Sequence, residues 1–391
     1  MRSRILIVLV NLQIETIYFQ TMKLLFECYK NKCNLSIRLL LVLLTIPSMT
    51  WAQAQKDKPN VTFEELYDEP YSINKLFIGF QPLYGEVFAT NTNAGFGFEA
   101  SYFQKDKFDL KAHFRKTYSG EFFDFNRNAS KSNQDDFSTS TAGGAVSDKP
   151  QVYNYYEIGG TYHVKDFDQD SKTKMILYKK SLKGDRWAAT VPLHAEVPCK
   201  VRKIYGARLG AIVWNSTTDL SRALTKQHLT NADLKTSTGT SLSPTYTING
   251  QTKSFNVFGN VHSADIYVGG SMTWIRNVAV SFDKYDDGVD DRMTTLFFDI
   301  LFAPSYSIDP VNYKDPNTGV TDKYSTTALK THSFGFRAGI DGKFNRTMGW
   351  SYGGEFGYRP SLVGMGFFAM FKISFPLYST NLDYKVESFG K

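Results

Sequence analysis

The chain has 391 residues, 42% hydrophobic and 15% aromatic, with 45 Lys and Arg against 38 Asp and Glu and three cysteines. No apolar run beyond residue 54 is long enough for a spanning helix, which excludes a helical membrane protein. Residues 1–54 hold six basic and two acidic residues, leaving 39 against 36, a net of +3 that makes no case for a nucleic-acid partner.

Residues 1–54 read as a signal peptide. The apolar run 39–46 follows Arg38 and falls well short of the roughly 20 residues that span a bilayer. Lys23, Lys30 and Lys32 supply the positive region, and Ala52 and Ala54 give an A-x-A cleavage pattern. A start at Met22 would give an n-region of ordinary length. A membrane-anchored helix is the competing reading, and the missing stop-transfer length argues against it. Cys28 and Cys33 lie in this segment, so an internal disulfide is excluded for a mature chain that keeps only Cys199.

Residues 55–74 are polar and acidic and read as a periplasmic lead; the barrel is expected over 75–377 and a tail over 378–391. Period-two alternation then sets in, the mark of a pleated strand. Leu76, Ile78 and Phe80 open it, and Phe96, Phe98, Ala100 and Tyr102 alternate with Gly97, Glu99 and Ser101. After the turn at 104–107, Phe108, Leu110, Ala112 and Phe114 oppose Asp109, Lys111, His113 and Arg115. A fully ionisable face of that kind is too costly for a dry core. Tyr156, Ile158, Tyr162 and Val164 oppose Glu157, Gly159, Thr161 and His163; residues 173–181 and 187–197 are weaker candidates.

Tyr205 to Val213 alternate with Gly206, Arg208 and Gly210, and Ile266 to Trp274 form a strand that reads on towards Phe282. Leu296, Phe298, Ile300 and Phe302 follow, with Phe297 and Leu301 blurring the alternation and Asp299 on the second face. Phe334, Phe336, Ala338 and Ile340 oppose Arg337 and Asp341. Two final strands set Trp350, Tyr352, Phe356 and Tyr358 against Ser351, Gly353 and Glu355, and Phe367, Phe371, Ile373 and Phe375 against Lys372 and Ser374.

These elements predict an all-β fold, one antiparallel up-and-down transmembrane barrel of about twelve strands, or ten without the two weak candidates. Its oily face would meet lipid and its second face a wet lumen. Long polar connections at 120–151, 215–261 and 307–330 follow odd-numbered strands, and short turns at 104–107, 166–172, 284–293 and 342–347 follow even ones. That is the expected asymmetry of an outer-membrane barrel.

Gly95-Phe96-Gly97-Phe98-Glu99-Ala100, the run Phe298-Asp299-Ile300-Leu301-Phe302-Ala303-Pro304 and the glycine-aromatic C-terminal hairpin resemble outer-membrane β-barrel proteins of Bacteroidota-type Gram-negative bacteria. The resemblance implies fold and location, the bacterial outer membrane, but no substrate. Such barrels often end on an aromatic-rich strand, whereas here a tail runs on to Lys391.

The predicted lumen-facing charges are Glu99, Asp109, Lys111, His113, Arg115, Glu157, His163, Arg208, Asp299, Arg337, Asp341, Glu355 and Lys372. Mixed signs can pair across strands and fill a narrow barrel, or line a pore. No catalytic residue is expected, because neither metal-spaced histidines nor a G-x-S-x-G elbow occurs. An acid–His–Ser set on His113 or His163 is the enzymatic alternative, and a soluble secreted β-sandwich binding carbohydrate the other. Asp286, Asp287, Asp290 and Asp291 form a weak calcium candidate, and Asp287-Gly288 is better explained as a hairpin turn. The polar loop 126–149 reads as exposed surface. No cofactor is expected, and the partners implied are outer-membrane lipid, with small solutes or envelope proteins. The function read from this pattern is a narrow channel or a structural or docking component of the cell envelope.

Overall fold

The computed structural model describes residues 61–380, apart from 91, 105–106, 119–144, 147–152, 178–193, 244, 249–250, 255–256, 284, 315–318 and 346–348. The segment read as a signal peptide, the loop 126–149 apart from Ala145 and Val146, the start of the candidate strand 187–197 and the tail beyond 380 lie outside the described residues.

Ten strands make the barrel: β1 (Leu76–Phe88), β2 (Asn93–Gln104), β3 (Phe108–Thr117), β4 (Asn154–Ile176), β5 (His194–Asp219), β6 (Phe258–Ile275), β7 (Arg292–Ile308), β8 (Phe334–Phe344), β9 (Ser351–Tyr358) and β10 (Phe367–Ser379). Each pairs antiparallel with its neighbours in the chain, and β10 returns to β1 with Phe77 opposite Ser379. Closure satisfies every strand edge around the ring. Among the described residues no helix is long and apolar enough to cross a membrane.

The count is ten because the two weak candidates are extensions of strong strands. Residues 173–176 continue β4, and 194–197 begin β5. Past Tyr162 opposite Phe108, β4 loses its β3 partner and pairs with β5 alone, out to Ile176 opposite His194. This projecting hairpin carries Asp166, Asp168, Asp170, Lys172 and Lys174, a polar run that mimics a turn at 166–172 in the sequence. Charge on an exposed edge discourages stray strand pairing.

β1 begins and β10 finishes at one end of the barrel, the turn end. The three long connections leave β3, β5 and β7 at the other, the loop end, as expected. Two turn-end connections are longer than expected, 177–193 and 276–291. The second holds strands Val278–Phe282 and Gly288–Asp290, because β6 stops at Ile275 instead of running on to Phe282. Val278–Phe282 also pairs with Phe63–Asp68, so part of the lead is strand. This small sheet packs Val278, Val280 and Phe282 against Met175, Val197, Cys199 and Val201 of the projecting hairpin.

Alternation decides what faces where. Outward positions carry Ile158, Tyr162, Val164, Leu209, Val268, Phe334, Phe356 and Phe371, all more than half exposed. Rings gather towards the rims of this band: Tyr102, Tyr162, Tyr205 and Tyr378 at the turn end, and Tyr118, Tyr156, Phe302 and Phe334 at the loop end. Inward positions carry most of the buried charge.

Candidate functional site in the barrel lumen

The loop-side half of the lumen is dry. Tyr84, Phe88, Tyr153, Trp214, Leu301 and Phe368 point inward and are almost fully buried. The Trp214 ring meets Phe88 edge-on at 5.2 Å, and its indole N–H donates to Asp265 at 3.3 Å. Helix α1 (Leu220–Lys226), N-capped by Asp219, adds Leu220, Ala223 and Leu224 to the same cluster. Thr90 ties the rim by bonds to Ser361, to the Met365 carbonyl and from Thr218. The sequence implied water along the whole interior. The structure corrects this: Phe297 and Leu301 blurred the alternation because they too face inward, Leu301 into an apolar core covered by folded-in loops and Phe297 against the Arg208 guanidinium, 4.3 Å from its ring centre.

Below that plug lies an ionic layer centred on Arg337. Its guanidinium donates to Glu157 at 2.6 Å, Asp299 at 2.9 Å and Glu355 at 3.3 Å, and lies 4.3 Å from the centre of the Tyr267 ring. Arg208 holds Asp299 through two bonds, at 2.9 and 3.2 Å. Arg115 and Arg359 approach Glu355 at 3.3 and 3.6 Å, and Arg359 also pairs with Glu86 at 2.6 Å. Tyr267 fits because Gly159 and Gly210 lie beside its ring; a Cβ on Gly210 would come within 2.5 Å of it.

The turn-side half is polar. Lys372 bridges Glu99 at 3.0 Å and Asp341 at 3.4 Å, and Lys111 reaches Asp341 at 3.2 Å. Glu99 also accepts from Gln81 at 3.1 Å and from Ser351. His113 lies 3.7 Å from Glu99, and His163 lies 3.5 Å from Asp109. A cavity partly open to solvent, lined among others by Phe77, Glu99, Lys111, Met293, Asp341 and Lys372, occupies this half.

The structure thus places all thirteen of the charges named from the sequence inside the barrel, in three groups: the Arg337 layer, the set around Lys372 with Lys111, Glu99, Asp341 and His113, and the separate contact of His163 with Asp109. Glu86, Arg359 and Lys343 belong to the same interior and were missed. For Glu86 the cause is a register slip at Gln81–Pro82, where β1 loses step with both neighbours and Tyr84, Glu86 and Phe88 turn inward. Pro82 was the available signal, because proline inside a strand marks a bulge.

No serine donates to His113 or His163 among the described residues, and both nitrogens of His163 lack a hydrogen-bond partner. The calcium candidate does not gather. Asp287 accepts from Ser281 at 2.8 Å, Asp290 accepts from Thr173 at 2.6 Å and faces Arg276 and Arg292, and no cluster of three or more metal-ligating side chains occurs among the described residues. No model of a known protein family matches the chain, and no curated protein matches it.

Proposed function

We propose that this protein is a bacterial outer-membrane β-barrel of the Bacteroidota type, shut to solute flow, that serves the envelope as a structural or docking component without catalysis. The observation that carries the reading is the reversed layout of the wall, with large apolar side chains outside and paired charges within. On β4 the oily face runs from Tyr156 to Val164, about 27 Å along a strand at ~3.3 Å per residue and ~20 Å high at a 40° tilt. That approaches the ~25 Å apolar band of outer-membrane barrels, and the tyrosines at both rims fit their aromatic girdles. A soluble barrel would instead turn such a belt inward.

A shut lumen follows from the apolar plug above balanced ion pairs. Ten strands enclose little more than the eight whose interior side chains alone can fill. The projecting β4–β5 hairpin extends on the periplasmic side in this orientation, where a docking element would stand. Detergent-extracted outer membranes should yield a band whose gel migration changes on boiling, and the purified protein should show no stable conductance in planar bilayers. Recovery as a soluble periplasmic protein would end the membrane reading. Steady unitary currents would replace the closed barrel with a narrow channel.

A further inference from the structure

Among the described residues, Lys343 is the one inward lysine of the turn-side half without a carboxylate partner. It sits next to the end of β8, across from Ser351 on β9 and Met293 on β7, and is 9% exposed. Its ammonium lies 4.2 Å from the centre of the Phe77 ring, and no carboxylate comes within ion-pair distance among the described residues. Two acids that share the cavity are committed elsewhere, Glu99 to Lys372 and Gln81 and Asp341 to Lys111 and Lys372, and Asp109 lies beside His163 at 3.5 Å. A ring face compensates a buried cation only in part.

The cavity that Lys343 lines also presents Phe77, Phe103 and Met293, so a positive anchor stands beside an apolar wall. The loop side of the lumen is sealed, which leaves the turn end as the way in. We propose that the turn-side cavity binds a small organic carboxylate with an apolar body, its carboxylate on Lys343 Nζ and its body against Phe77, Phe103 and Met293. The bound anion supplies the counter-charge the fold omits. Such a charge-assisted contact is among the stronger hydrogen bonds available to a ligand. The inference goes beyond the membrane assignment and does not depend on it, because fractionation and conductance report on the wall and the plug, not on this cavity.

The test is ¹⁹F NMR titration of the folded, detergent-solubilised protein with 4-fluorobenzoate, and with neutral 4-fluorobenzamide as the comparison. Saturable binding of the acid is expected, at least tenfold tighter than the amide. Lys343→Gln should weaken the acid tenfold or more and leave the amide unchanged. Met293→Trp, which keeps the lysine and fills the apolar wall, should weaken both. The proposal is overturned by absence of saturable binding to the unmodified protein, by equal affinity for acid and amide, or by Lys343→Gln binding the acid as the unmodified protein does.

Discussion

The two halves of the lumen are enclosed by the same ten strands and the same period-two backbone, yet one is an apolar core and the other a charged, partly hydrated chamber. The loop-side half has Trp214, Leu301 and Phe368 under folded-in loops, which supply the second layer an oily core needs. The turn-side half has Glu99, Lys111, Asp341 and Lys372, which satisfy one another and leave a cavity. The contrast teaches that a strand's inward face is chosen by what covers it at each height. Arg337 marks the level where one regime gives way to the other.

The strongest way to break the contrast is to remove that boundary. Arg337→Met keeps the bulk of the side chain but strips donors from Glu157, Asp299 and Glu355. Breaking a buried ion pair from one side costs about 3–5 kcal/mol, because the remaining charge is left without a partner. The temperature at which the folded band disappears from semi-native gels should fall sharply; an unchanged temperature would mean that water already screens this layer.

Paired substitutions then compare the halves directly. Leu301→Ala in the dry half should cost about 2–5 kcal/mol, since its fully buried side chain leaves a void. Thr295→Ala in the wet half removes one hydrogen bond, to Thr273, and should cost only about 1 kcal/mol because water can replace the lost partner. Urea unfolding in detergent reads both. Equal losses would erase the distinction between the halves.

Outside the barrel the contrast reverses, and charge becomes the intruder. Ile158 is 67% exposed, so Ile158→Arg would be nearly neutral on a soluble surface. Against hydrocarbon the same change costs about 2–4 kcal/mol near the middle of the bilayer. Refolding into lipid vesicles measures the difference, and a neutral result would take the wall out of the membrane.

How much of this was legible in the sequence follows from the same physics. Alternation is a local property, so the ionisable face of β3 and the pairs Glu157 with Ile158 and Arg337 with Phe336 declared their sides without any tertiary information. The strand count was harder, because the β4–β5 hairpin leaves the ring and exchanges apolar residues for charges at 165–174. A narrow strand count favoured a constricted or plugged barrel, but the apolar make-up of the plug was not legible. Leu301 broke the pattern visibly, but its reason lies in helix α1 and the segment around Leu362, distant in sequence and folded over the rim, and that of Phe297 in the Arg208 guanidinium it packs against. Lys343 fell in the expected turn 342–347 and gave no sign of facing inward; its isolation depends on which neighbours Glu99 and Asp341 select.

The smallest expected effect concerns the strap that covers the dry half. His332 pairs in register with Ser361, stacks on Tyr358 at 4.6 Å, and sets its Nδ1 3.2 Å from the Phe334 carbonyl. Burial lowers its pKa below the ordinary histidine value, and the carbonyl offsets that only partly. The folded imidazole is therefore neutral where the unfolded one takes up a proton. A depressed folded pKa gives stability that is present above the ordinary value near 6.5 and lost as pH falls through the lower folded value. Amide protection factors, taken relative to the intrinsic exchange rate at each pH, should fall at residues 361–365 between pH 7 and pH 5, while those around Leu301 stay high. His332→Gln, which cannot titrate, should flatten that response; if it does not, the strap is held by the Thr90 bonds to Ser361 and Met365 rather than by the ring of His332.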